Sequence, residues 1–314
     1  MKKNKLVIGS RGSELALWQA KFVKTLLEKK YKNLSVELKI INTKGDKILD
    51  IALSKIGDKG LFTKELETEL LNGSIDIAVH SLKDLQTELP NGLTLAAVTK
   101  RHPVQDVLVA KKKGITINNL PNGSIIATGS LRRRSQLLHL RPDLKIEELR
   151  GNVPTRIKKL IDSNWDAIIL ARAGVERLKL NKYISSVISI KQILPAVGQG
   201  ALGIETRTDN LFALKVLKKI NHEKTFLAVR AERALLKALE GGCQVPIGAY
   251  ASVISGSISL EALVGSIDGT VTFRKKIIGN VKSPEKLGQK LASQLLKAGA
   301  SEILDYIYRK DRSK

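Results

Sequence analysis

The sequence predicts an α/β fold with mainly parallel sheets, divided into more than one domain. Three observations predict it. Short apolar runs alternate with amphipathic stretches along most of the chain, in the order strand, loop, helix. Two of these units are alike, since VIGSRGSELALWQ and IIATGSLRRRSQLL both run strand, glycine, serine, helix, with arginine at the turn. The third is length: 314 residues exceed what one hydrophobic core usually organises, which points to two or three domains.

The first strand is Leu6-Val7-Ile8, closed by a glycine-serine turn. A helix follows from about Glu14 to Lys30, with Ser13 as its N-cap and Leu15, Trp18, Phe22 and Leu26 on one face. Ile75 to Val79 is a strand, and Ser81-Leu82-Lys83-Asp84 is the loop that leaves it. Ser124 to Ala127 is another strand, opening through Thr128-Gly129-Ser130 into a helix that carries Arg132, Arg133 and Arg134. Asp166 to Leu170 is one more. After about His222 the pattern changes to a strong helix, Phe226 to Leu239, and then alternating runs at Ala249 to Ile254, Ser257 to Leu263 and Thr270 to Ile278. A last helix starts near Pro284. This region reads as a separate, smaller α+β domain.

In parallel sheets ligands bind outside the carboxyl ends of the strands. Helix N-termini there present free N–H groups and a positive dipole end, suited to carboxylate or phosphate. The two similar units therefore predict two similar domains facing a shared cleft. Composition narrows the ligand. The formal net charge of +24 attracts polyanions. Aromatics make up only 4%, too few for base-stacking platforms, so no specific nucleic acid is expected. No run approaches the roughly 18 apolar residues of a membrane span, and the basic start precedes no secretory core. A single cysteine forms no internal disulfide and fits a reducing cytoplasm; one Cys and four scattered His exclude a zinc site, and no metal is expected.

Four features carry the candidate chemistry. Asp84, in VHSLKDL, leaves the end of a buried strand beside Lys83 and near His80; it reads either as a carboxylate that handles protons or stabilises a cation, or as a capping aspartate paired with lysine. Arg11, Arg132, Arg133, Arg150, Arg156 and Arg177 sit at strand-to-helix turns, where guanidinium forks grip carboxylates; any one of them alone reads as surface charge. PAVGQGALGIE, Pro195 to Glu205, is neither a Walker loop nor a dinucleotide fingerprint and reads as a crossover between domains, with Gln199 facing the cleft. Cys243, in EGGCQVPIG, is either an inert core thiol or an accessible loop thiol acting as nucleophile or tether.

Taken together, IGSRGSELALWQA, KGLFTKELE, VHSLKD, SLRRRSQL, RGNVPTR, PAVGQGALGIE and ERALLKALEGGCQVPIGAY resemble, in order and over nearly the whole chain, the porphobilinogen deaminase (hydroxymethylbilane synthase) family. The resemblance implies a transferase of tetrapyrrole biosynthesis. It joins four porphobilinogen molecules head to tail, with release of ammonia, and water then frees hydroxymethylbilane for uroporphyrinogen-III synthase. It implies that Cys243 anchors a dipyrromethane cofactor through a thioether and that Asp84 is the catalytic carboxylate. Lys83, Asp84, Ser130, Arg132, Arg133, Arg150 and Gly151 are implied to bind the cofactor, and Arg11, Ser13, Arg150, Arg156, Arg177 and Gln199 the substrate. Lys59 and Phe62 fall on the family's mobile lid. The cofactor and growing chain carry about twelve carboxylates, a load suited to arginine forks.

The implied fold has three domains, the first two like periplasmic binding proteins. They span 1–102 plus 199–221, 103–198, and 222–314. The family is monomeric. Two stretches depart from its pattern: Gln86 replaces a usual proline, and RHPVQD at 101–106 shifts a proline by one in the inter-domain hinge.

Overall fold

Parallel strands need helical crossovers, and the strand–loop–helix rhythm of the sequence supplies them. The computed structural model describes residues 5–43, 45, 60–239 and 245–312. Its first elements are β1 (Lys5–Ser10), α1 (Glu14–Lys30), β2 (Ser35–Ile40), α2 (Lys64–Leu71), β3 (Ile77–Ser81), a 3-10 turn (Leu82–Asp84) and β4 (Leu93–Val98). Then come β5 (Asp106–Ala110), β6 (Ile125–Ala127), α3 (Leu131–Leu140), β7 (Lys145–Glu147), α4 (Val153–Asp162), β8 (Ala167–Ala171), α5 (Arg172–Arg177) and β9 (Ile184–Val187). The chain continues through β10 (Leu202–Arg207), α6 (Leu211–Leu217), α7 (Glu223–Ala238), β11 (Ile247–Ile254), β12 (Ser257–Gly265), β13 (Thr272–Asn280), α8 (Pro284–Leu295) and α9 (Ser301–Arg312).

The described residues form two compact units, one holding 5–43, 45, 60–102 and 200–226, the other 103–199, 227–239 and 245–312. The sheet of the first has the order β2-β1-β3-β10-β4. β1 runs parallel to β2 and β3, while β10 is antiparallel to β3 and β4, so four strands point one way and β10 the other. On one face Leu6, Ile8, Ile77, Val79, Leu202 and Ile204 pack against α1 and α6; on the other, Leu66 and Leu70 of α2 cover Ile75, Ala78 and Leu93. Alternation along β3 sends Ile77 and Val79 to the first face and Ala78 to the second.

α1 starts where the sequence places it, with the Ser13 hydroxyl accepting from the Ala16 N–H at 3.4 Å. Its deepest face differs from the predicted stripe. Gln19, Ala20, Val23 and Leu27 are buried, while Leu15, Trp18, Phe22 and Leu26 are half-buried. The small Ala20 and the Gln19 amide, which donates to Ser81 Oγ at 2.8 Å, turn the helix toward the sheet. The displaced aromatics pair on its flank, Trp18 stacking on Phe22 with centroids 5.2 Å apart.

The second unit repeats the pattern. Its five-stranded sheet has the order β7-β6-β8-β5-β9, with β6 parallel to β7 and β8 and β5 antiparallel to both neighbours. Leu137 of α3 packs with Leu108, Ile126 and Ile169 on one face; Ile157 and Leu160 of α4 pack with Val107, Val109 and Ile168 on the other. The same unit contains the antiparallel sheet β11-β12-β13, whose Ala249, Ala251, Leu260 and Ala262 are covered by Leu235, Leu291, Leu295, Leu304 and Ile307 from α7, α8 and α9. Glu232 of α7, fully buried, accepts from the N–H groups of Gly198 at 2.8 Å and Ala251 at 2.7 Å. The single C-terminal helix expected from the sequence is two, broken at Gly299, whose φ of 112° lies outside the helical range.

Gly288 is where α8 meets α7. A Cβ there would lie 2.3 Å from the carbonyl oxygen of Ala231 and 2.7 Å from the Leu235 nitrogen, backbone atoms that cannot swing away. Alanine favours a helix over glycine by about 1 kcal/mol, yet overpacking costs about 1–3 kcal/mol or more. Gly288→Ala is therefore expected to lower the thermal unfolding midpoint; an unchanged or higher midpoint would show that the helices separate freely.

Candidate functional site

The carboxyl ends of β1 and β3 lie side by side in the first unit. Beyond β1 the chain turns through Arg11 into the cap of α1; beyond β3 it enters the 3-10 turn. Leu82 and Leu85 are buried, and the Leu82 N–H donates to the Ala201 carbonyl at 3.1 Å. With its leucines held inward, the turn leaves Lys83 half-buried and Asp84 exposed. A small cleft of about 70 Å³ opens here, lined among others by Arg11, Ser13, Gln19, Phe62, His80 and Asp84. The Arg11 guanidinium lies 4.2 Å from the centroid of the Phe62 ring, a cation–π contact.

Behind the cleft is a buried acid–imidazole cluster. His80 Nε2 lies 3.1 Å from Glu205 Oε2, and both side chains are buried. Glu67 of α2 is buried as well, and burial is the main cause that pushes its carboxyl above the usual range, with the Glu205 charge acting in the same direction.

In the second unit the arginines gather on the segments that follow β6, β7 and β8. Arg132 and Arg133 open α3 and are 95% buried. Their forks turn inward. Arg132 donates to Asp106 Oδ2 at 2.9 Å and to the Leu194 carbonyl at 2.7 Å; Arg133 donates to Asp106 Oδ1 at 2.7 Å and to the Ile169 carbonyl at 2.9 Å. The Nε atoms of Arg132, Arg133 and Arg150 are buried with no acceptor. Desolvation lowers the pKa of Arg132 and of Arg150, and brings that of Arg177, buried at the end of α5, to about 10. Asp106 is fully buried; its two guanidinium partners outweigh the desolvation and hold its carboxyl well below the usual range. Ser130 sits at the N-cap of α3 with its hydroxyl unused for capping. Asn152 caps α4, and Arg156 Nε donates to the Gly151 carbonyl at 2.7 Å.

Of the residues singled out in the sequence, the structure brings Arg11, Ser13, Phe62 and Asp84 to one cleft. Lys83 belongs to the adjoining turn without lining that cleft. Ser130, Arg132, Arg133, Arg150, Gly151, Arg156 and Arg177 share the segments after the strands of the second unit. Gln199 differs from expectation. It faces inward, 1% exposed, with its amide donating to the Val104 carbonyl at 2.7 Å and to Asp106 Oδ1 at 3.0 Å. The turn that bears it is held from within by Glu232, which fixes its direction. Cys243 and Lys59 lie outside the described residues. Sequence reasoning misses Asp106 and Glu232; the available signal is an acid opening the apolar run DVLVA and an acid inside the apolar helix of 226–239.

The chain matches two family models. Residues 6–215 match that of "Porphobilinogen deaminase, dipyromethane cofactor binding domain", and residues 226–297 that of "Porphobilinogen deaminase, C-terminal domain". The porphobilinogen deaminase of Chloroherpeton thalassium is 51% identical over 306 residues, covering 96% of this chain and 97% of its own. That of Geobacter sulfurreducens is 48% identical over 314 residues, covering 100% and 98%. Among solved structures, the methionine binding protein MetQ is similar with a TM-score of 0.45 at 19% identity, over 70% of this chain and 89% of its own.

The raised pKa of Glu67 means that the folded state keeps this proton to higher pH than the unfolded chain. Its burial therefore costs nothing in acid, where both states are protonated, and costs stability progressively as the pH rises through the folded value. Glu67→Gln is expected to raise the unfolding midpoint near neutral pH, the gain shrinking toward about pH 4. A gain of equal size at both pH values would assign the effect to packing instead.

Proposed function

Because the chain belongs to the porphobilinogen deaminase family, transferases of tetrapyrrole biosynthesis with a dipyrromethane cofactor, we propose how its residues divide the work. Asp84 is the catalytic carboxylate. Cys243 carries the cofactor through a thioether. Arg11, Ser13, Arg156 and Arg177 bind the acetate and propionate groups of porphobilinogen. Lys83, Ser130, Arg132, Arg133 and Gly151 hold the cofactor, and Arg150 serves both. Phe62 and Lys59 belong to the covering lid. Gln199 acts from beneath, through Asp106.

The observation that carries this reading is the pair of buried guanidiniums at the carboxyl edge of the second unit's sheet that share one carboxylate. Arg132 and Arg133 are each 95% buried, and the single carboxylate of Asp106 is bonded to both. A guanidinium stripped of water needs an anion. The unmatched Nε edges of Arg132, Arg133 and Arg150 are suited to the carboxylates of a dipyrrole. When bound, the cofactor supplies the pyrrole carbon to which the first substrate is joined.

The chain's own residues then do three things. The arginines fix the substrate by its carboxylates, converting an encounter between pyrroles into a positioned reaction. Asp84, exposed at the end of its turn, faces the positive charge that grows on the substrate as ammonia departs, and stabilises it. Phe62, against the Arg11 guanidinium, shields the cleft on one side. Hydroxymethylbilane leaves after hydrolysis and passes to uroporphyrinogen-III synthase, an enzyme that closes the linear chain. The protein works as a cytoplasmic monomer built of three domains, 1–102 plus 199–221, 103–198 and 222–314; the three separate sheets support this division. Among the described residues no helix is long and apolar enough to cross a membrane.

Intact-mass measurement of the purified protein is expected to show an adduct of two pyrroles, absent from Cys243→Ala. Protein of unmodified mass that leaves porphobilinogen unconsumed would end this reading. Asp84→Ala is expected to keep the adduct while kcat falls about 100-fold or more, the scale of losing one electrostatic stabiliser; near-normal turnover would remove Asp84 from the chemistry.

A further inference from the structure

Two adjacent arginines on one turn of helix repel each other, and α3 begins with such a pair. Their closest approach is governed by a residue with no assigned role. Asp106, the first residue of β5, sends Oδ2 to Arg132 and Oδ1 to Arg133, each at 2.9 Å or less, and receives a third donor from Gln199 at 3.0 Å. The carboxylate is fully buried, and β5 pairs with β8 from Asp106 onward, so the acid is part of a sheet strand rather than of a loop. Carbonyls of Leu194 and Ile169 take the remaining outer nitrogens. Both guanidiniums are thereby locked in the planes of their hydrogen bonds, with both Nε edges left without an acceptor.

We propose that Asp106 is a positioning residue that sets the orientation of Arg132 and Arg133 toward the carboxylates of the dipyrromethane; this rests on the reading of those arginines as cofactor binders. Its action is indirect: it is sealed from solvent and touches the ligand through the two forks. The strand fixes the carboxylate, the carboxylate fixes both guanidinium planes, and the planes fix the direction of the two unused N–H edges. Charge balance alone would require an acid of any reach at this place. Positioning requires this one, because a carboxylate displaced by a methylene rotates both forks together.

Asp106→Glu separates the two roles, since it keeps the charge and changes the reach. Full-length Asp106→Glu is expected to fold, to carry the dipyrrole adduct on a smaller fraction of molecules than wild type, and to show a KM for porphobilinogen raised about tenfold, a shift of the size that ångström misplacements produce. The readouts are intact mass on the monodisperse fraction from gel filtration, the KM-against-kcat split, and circular dichroism. Asp106→Asn, which keeps the shape and removes the charge, is expected to lose more of the adduct than Asp106→Glu. Folded Asp106→Glu with full adduct and wild-type KM overturns the proposal, and it does so equally when Asp106→Asn fails to fold, since Asp106 then serves charge balance alone. Wild-type protein lacking the adduct fails the underlying functional reading instead, so the two failures are distinguishable.

Discussion

The compensation of buried positive charge is the constraint around which the second unit is built. A guanidinium that loses its hydration must find acceptors or lose its proton, and arginine does not readily do the latter. Arg132 and Arg133 find one acid, Asp106, and two main-chain carbonyls; Arg177 is buried deeply enough for its pKa to fall to about 10. Two buried guanidiniums thus share a single carboxylate. The same strands that bury the arginines give them the placement on which the proposed binding of a poly-acid depends, so in that reading fold stability and ligand affinity are in opposition at this edge.

Each five-stranded sheet meets the same geometric requirement. Four strands run together so that their carboxyl ends and the helix N-termini beyond them converge, and one strand runs against them. In the first unit that convergence brings Arg11 and Asp84 into one cleft, a cation and a carboxylate on the same wall. In the second it gathers arginines around the buried carboxylate of Asp106, with the exposed Glu148 beside Arg150. The paired units are therefore alike in backbone and different in charge, and the difference resides in the residues that come after the glycine-serine turns.

Much of this was legible in the sequence. α1 was readable to the residue because Ser13 is a strong cap and the apolar spacing is helical; β6 and β8 were readable because Ile125-Ile126 and Ala167 to Leu170 are continuous apolar runs. The short or exposed strands β2, β7 and β9 were not, since their burial alternates weakly and their existence depends on neighbours distant in sequence. In the candidate site, Asp84 and the arginines stand out by residue type and position at strand ends, while the alternatives of a capping aspartate and surface arginines stay open in the sequence alone. Asp106, Glu232 and the inward turn of Gln199 do not, because their meaning comes from long-range hydrogen bonds: Gln199 to Asp106 spans 93 positions. The bracing of Arg132 and Arg133 by Asp106 was not legible, for the same reason.

The reversed strand of each sheet has an origin that matters to a chain still being made. β5, the reversed strand of the second sheet, precedes its four companions, whereas β10, that of the first, follows every strand of the second. Among the described residues β4 has β10 as its one neighbour in the sheet. On the ribosome, β4 therefore precedes its partner among the described strands by more than a hundred residues, and the later sheet has all its described strands before the earlier one does. The first sheet begun is thus the second to have its described strands complete, and until β10 is made the edges of β3 and β4 that it covers lack that partner.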